Sequence, residues 1–94
     1  MYARLVQFTF GPNAHEKAEQ MAGDLGPAIG ALKGCKGVTF FGDETDGEYG
    51  LFVLWESQED AEAAAQVIRP RLEEGLAGNV QGPPRIRLFK VIEH

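Results

Sequence analysis

The segments of this chain that read as β-strands are apolar on both faces, and this restricts the possible folds more than any other feature. Residues 48–56 place Leu51, Val53 and Trp55 on one side and Phe52 and Leu54 on the other. Residues 85–93 set Ile86, Leu88 and Ile92 against Phe89 and Val91, and residues 35–43 set Val38 and Phe40 against Phe41. An antiparallel sheet with one wet face alternates apolar with polar residues instead. Here both faces need cover.

The rest of the chain supplies cover for one face only. Residues 2–10, rich in aromatic and β-branched types, read as a strand that stops at Gly11-Pro12. Asn13 and Glu16 form a capping-box pattern ahead of a helix whose stripe is Ala18, Met21, Ala22, Leu25, Ile29 and Leu32. Pro27 predicts a kink or break in that helix near Leu25. After the strand at 35–43, Asp46-Gly47 predicts a two-residue type I′ turn, pairing Phe40 with Val53 and Val38 with Trp55. Ser57 is a helix cap, followed by the stripe Ala61, Ala64, Ala65, Ile68 and Leu72, with Pro70 as a second interruption. A Gly/Pro-rich loop, 77–84, leads to the last strand.

The order β-α-β-β-α-β with right-handed crossovers predicts an α+β, ferredoxin-like (split-βαβ) fold. Its four-stranded antiparallel sheet carries two helices on one face. The other face is then expected to close against the same face of a second copy, as a homodimer. Ninety-four residues predict a single domain, 1–94.

Composition narrows the function classes. A net charge of −5 argues against nucleic acid as a partner. The longest uncharged stretch, about 10 residues, is half of a membrane span, and residues 1–6 read as strand rather than signal peptide. The single cysteine, Cys35, forms no internal disulfide, so a cytoplasmic location is expected. No phosphate-binding loop, dinucleotide fingerprint, nucleophile elbow or metal signature occurs, and neither metal nor cofactor is expected.

The run Lys33-Gly34-Cys35-Lys36-Gly37-Val38, the hairpin, and the junction Trp55-Glu56-Ser57 to Asp60-Ala61 together resemble the antibiotic biosynthesis monooxygenase family. That family belongs to the dimeric α/β-barrel superfamily, and the resemblance spans nearly the whole chain. It implies a sheet-to-sheet dimer and, in some members, cofactor-independent oxygenation of polyketide-type aromatic substrates. The haem-degrading branch of the family carries an iron-ligating histidine ten residues beyond the tryptophan. Ala65 stands at that position here, so the haem reading is set aside.

The residues singled out for chemistry follow from this. Trp55 is expected to line a pocket between sheet and helices and to stack on a flat ligand, or else to fill the core beneath the second helix. Gln7, with Thr9 beside it, is a candidate hydrogen-bond partner for a substrate carbonyl or phenol. Phe40, Tyr49 and Val53 are placed with Trp55 on the ligand side, and His15 is a candidate general base at the pocket mouth. His15 and Glu19 are spaced for a metal, but two ligands make no site. Two functions are compatible with these residues. One is a monooxygenase, or isomerase-like relative, acting on a small flat hydrophobic molecule. The other is a non-catalytic dimeric ligand-binding or structural protein.

Overall fold

The computed structural model describes residues 1–76 and 80–92; part of the predicted 77–84 loop, the end of the last strand and His94 fall outside. Its elements are β1 (Tyr2–Thr9), α1 (His15–Gly30), β2 (Cys35–Asp43), β3 (Glu48–Trp55), α2 (Gln58–Leu76) and β4 (Arg85–Lys90). The strands form one antiparallel sheet in the order β2-β3-β1-β4. This is the ferredoxin-like arrangement that the alternation of elements predicted.

Register determines which side chains meet the helices. Opposite Arg4, Val6 and Phe8 of β1 stand Val53, Leu51 and Tyr49 of β3 and, for the first two, Leu88 and Ile86 of β4. Strand pleating puts all of these on one face with Trp55, and most join Met21, Leu25, Ile29, Ala61, Ala64 and Leu72 in the core. Leu51, Val53 and Trp55 are each 1% exposed. The opposite face carries Ala3, Leu5, Gln7, Thr9, Thr39, Phe41, Phe52, Leu54, Arg87 and Phe89, and no helix covers it.

Two local expectations are corrected, one is borne out and one is narrowed. The hairpin closes with four residues, 44–47, rather than two, so Phe40 pairs with Leu51 and Val38 with Val53. An Asx turn, Thr45 N–H donating to Asp43 Oδ1 at 2.9 Å, and the Gly47 N–H to Asp43 carbonyl bond at 2.8 Å stabilise this longer loop. The slip is two residues, an even number, and every side chain keeps its predicted face. Asn13 is not a cap: it adopts φ 64°, and Ala14 occupies the cap position without a side-chain bond. Ser57 does cap α2, its Oγ accepting from Asp60 N–H at 3.1 Å. Finally, of the kink or break expected at Pro27 and Pro70, there is no break: both helices continue through their prolines. Buried Leu25 and Ile29 flank Pro27, so both halves of α1 are held on the sheet by apolar burial of about 1.5–3 kcal/mol per side chain.

Candidate functional site

The space between helices and sheet is divided into two unequal cavities. Beside Trp55, the packing of α2 leaves only about 40 Å³, bounded by Val53, Ala61, Ala65, Ile68 and Leu72. That is room for a water or two. Trp55 and Val53 are core residues, and the predicted stacking pocket at the indole is closed. Two guanidiniums border this small space, those of Arg4 and Arg69. Arg4 donates a long 3.5 Å bond from Nη2 to the Ala61 carbonyl. Burial pushes its pKa below the ordinary arginine value; nearby Arg69 adds to that shift and Glu62 opposes it.

The larger cavity, about 660 Å³, lies at the other end of the sheet, between the first half of α1 and the β2–β3 hairpin. Phe8, Phe40 and Tyr49 form its sheet wall, and Ala18, Met21 and Ala22 form its helix wall. One close approach shapes it. Gly42 pairs with Tyr49, and a Cβ on Gly42 would overlap the Tyr49 ring. Gly26 of α1 faces Phe40, whose Cε1 lies 3.6 Å from where a Cβ would stand, an ordinary contact distance. Tyr49 is further packed on Phe10, with ring centroids 5.7 Å apart.

The polar groups of this cavity follow from the same elements. Tyr49 is 6% exposed, and its hydroxyl makes no hydrogen bond to the described residues. Among those residues no side-chain oxygen or nitrogen is both sealed and unpartnered, so the phenol oxygen keeps its access through the cavity it lines. At the rim, His15 lies between two carboxylates: Nε2 is 2.9 Å from Glu19 Oε1 and Nδ1 is 3.0 Å from Glu44 Oε1. An imidazolium donates to both, whereas a neutral ring has one N–H and holds only one of them. Loss of the second contact frees a ring nitrogen that can accept a proton. No group of three metal-ligating side chains occurs among the described residues.

The structure therefore divides the predicted site residues into three sets. His15, Phe40 and Tyr49 gather at the large cavity, while Val53 and Trp55 lie in the core beside the small one. Gln7 and Thr9 pair with Gly50 and Glu48 on the uncovered face. The expectation that Gln7 shares a pocket with Trp55 is corrected, because the pairing of β1 with β3 sets Trp55 opposite Tyr2 and Gln7 opposite Gly50, on opposite sides of the sheet. Phe8, Glu19 and Glu44 complete the large cavity. The signal for Phe8 was present in its alternation with Val6 and Phe10. Glu44 belonged to a hairpin tip whose fold back toward α1 only long-range contacts define.

No family model matches this sequence, and no curated protein matches it. Solved structures match over essentially the whole chain. A Nitrosomonas europaea protein provisionally named an antibiotic biosynthesis monooxygenase superposes with TM-score 0.84 at 13% identity, covering 99% of this chain and 100% of that one. A monooxygenase of Streptomyces coelicolor, from the gene ActVA-Orf6 and in complex with nanaomycin D, superposes with TM-score 0.80 at 19% identity, covering 99% and 88%. A variant of SnoaB, a cofactor-independent oxygenase of Streptomyces nogalater, superposes with TM-score 0.78 at 14% identity, covering 99% and 94%. The chain has the fold of the antibiotic biosynthesis monooxygenases.

Proposed function

We propose that the chain binds a small, flat, hydrophobic molecule in the Phe8–Phe40–Tyr49 cavity and oxygenates it without a cofactor. The Tyr49 phenol carries this reading. Its ring is buried, and its hydroxyl, accessible and unpartnered among the described residues, belongs to a residue on the wall of a cavity of about 660 Å³. The fold supports the choice of reaction, since proteins that share it include a cofactor-independent oxygenase and a monooxygenase holding nanaomycin D. In such a reaction the substrate supplies the electrons. A deprotonated anthrone-type methylene reacts with dioxygen; the carbon becomes a carbonyl and the second oxygen atom leaves as water. Tyr49 would orient the substrate oxygen by hydrogen bonding, and the released nitrogen of His15 would take the proton.

The assembly belongs to the same proposal. On the uncovered face Phe41, Phe52 and Phe89 remain 40%, 39% and 38% exposed. A second copy packed through this face would bury them and enclose Gln7 and Thr9 between two sheets. No helix of the described residues is long and apolar enough to cross a membrane; a cytoplasmic location is the accompanying reading, supported by the lone cysteine, Cys35.

One observation favours a second reading, a non-catalytic dimeric binding protein: Trp55, the expected stacking residue, is sealed in the core. Oxygen uptake with an anthrone or dihydroxynaphthalene, measured after chelation and without flavin or haem, separates the two. Uptake that Tyr49→Phe slows supports the oxygenase. Saturable binding without uptake leaves the binding protein, and no binding by any compound of this class overturns both.

A further inference from the structure

We infer that Met21 sets the inner limit of the Phe8–Phe40–Tyr49 cavity, and with it the length of the aromatic molecule the cavity accepts; this rests on that cavity being the ligand site. A second hollow, a groove of about 360 Å³, lies between α1 and α2. Lys17, Gln20 and Asp24 border it from α1, and Arg71, Glu74 and Gly75 from α2. Among the described residues Met21 alone borders both spaces. At about 3.6 residues per turn, the α1 residues of the cavity, His15, Ala18, Glu19 and Ala22, fall on one flank of the helix. Those of the groove, Lys17, Gln20 and Asp24, fall on the opposite flank. Met21 stands between the two flanks, on the side packed against the core, and is 8% exposed. Cavity and groove are neighbours beneath one helix, with this thioether as the partition.

The partition is a single side chain with room on either side. Toward the cavity, Ala18 and Ala22 are short, so Met21 is the one long apolar side chain that α1 turns to it. Toward the groove, α2 presents Gly75. A Cβ there would lie 3.6 Å from Met21 Sδ and 3.8 Å from its Cγ, so the thioether packs on a stretch of α2 that carries no side chain. An unbranched thioether with three rotatable bonds fills such a gap without making a rigid wall. The chemistry of the boundary sets the direction in which a longer ligand must grow. The rim holds His15, Glu19 and Glu44, whose polar groups an apolar ring would desolvate at a cost. Met21 is the apolar end. A short flat phenol fits with its far edge against Met21, and a further ring in line with it has to displace that side chain. The site therefore selects short fused-ring phenols over extended ones.

The test compares 2-naphthol with 6-phenyl-2-naphthol, which carries one more ring at the end away from the hydroxyl. Both are titrated into the full-length protein and into Met21→Ala, with affinities from calorimetry and contacts from NMR shifts. In the wild type, 2-naphthol should shift the Met21 methyl resonance and leave the Gly75 amide unmoved, and the longer phenol should bind no more tightly than the shorter. In Met21→Ala the longer phenol should bind about tenfold more tightly than the shorter, because its added ring is now buried, and it should shift the Gly75 amide. Adding Gly75→Leu to Met21→Ala refills the opening from α2 and should return the two affinities to about equal. That reversal distinguishes a removed partition from a general loosening of the core. Thermal melts check that the variants fold; if Met21→Ala does not, the wild-type shifts and affinities decide. A Met21 methyl unmoved by bound 2-naphthol, a longer phenol that binds the wild type more tightly, equal affinities in Met21→Ala, or a preference that survives Gly75→Leu each overturn the inference and leave the cavity as the ligand site. If neither phenol shifts the Phe8, Phe40 or Tyr49 resonances, both the inference and the site are overturned.

Discussion

Tyr49 and Trp55 lie on the same face of the same strand, and their surroundings give them different work. Tyr49 stands over Gly42 and opens on the larger cavity; Trp55 is closed over by Ala61, Ala65 and Ile68 of α2. Trp55→Ala is therefore a core deletion, expected to lower unfolding free energy by about 3–5 kcal/mol in urea denaturation. Tyr49→Phe keeps the ring and removes only the hydroxyl. Its stability should change by less than about 1 kcal/mol, because no described protein group loses a partner. Its affinity for a hydroxylated aromatic ligand should fall by about 1–1.5 kcal/mol, roughly tenfold in the dissociation constant by calorimetry. Unchanged affinity would remove Tyr49 from the site.

At the scale of elements, the β2–β3 hairpin is what turns an exposed acidic tip into a cavity wall. Gly47, at φ 71°, brings its carbonyl within reach of the Phe10 and Gly11 amides, at 2.9 and 3.4 Å, fastening the hairpin to the β1–α1 link. A Cβ there would run into the Gly11 backbone. Gly47→Ala combines a left-handed backbone penalty of about 1–2 kcal/mol with that clash, so a loss of more than about 2 kcal/mol is expected in thermal unfolding. Loss of the link should also displace Glu44 from His15, read as a change in the His15 ring resonances. Hydrophobic spacing located all six elements in the sequence, because a buried stripe must recur with the helix or strand period. It misjudged the hairpin length, and of the two outcomes allowed at the prolines the break does not occur. Asp46-Gly47 suits a two-residue turn locally, yet the Asx turn at Asp43 and the docking of Gly47 on Gly11 select a loop of four.

At the scale of the whole molecule, the uncovered face is the surface through which the proposed dimer would form. Its apolar part, formed by Leu5, Phe41, Phe52, Leu54 and Phe89, adjoins a polar end where Arg85 lies 3.7 Å from Glu48. A permanent dimer through this face should bury about 2,000 Å² or more in total. Phe52→Asp would place a charge in the middle of that contact, and aggregation or monomers are expected by light scattering. A monodisperse wild-type monomer at micromolar concentration would overturn the dimer. Gln7 and Thr9 would act, if on any ligand, from inside that interface and not from the Tyr49 cavity.

The amino-acid sequence by itself determined the order of elements, the split of each strand into two apolar faces, and the identity of nearly all core residues. These depend on periodicity, which is local and is read from spacing alone. It also placed Phe40 and Tyr49 on the helix-covered face, since an even register slip changes no side chain's direction. Only the tertiary structure decided where the empty space lies. Whether the volume under the helices opens at Trp55 or at Tyr49 depends on how closely α1 and α2 approach the sheet. That is set by contacts such as Gly42 under Tyr49 and Ala61 beside Trp55, which only the pairing of elements brings together. The face of Gln7 relative to Trp55 was decided in the same way, by the pairing of β1 with β3, which no spacing within either strand can specify.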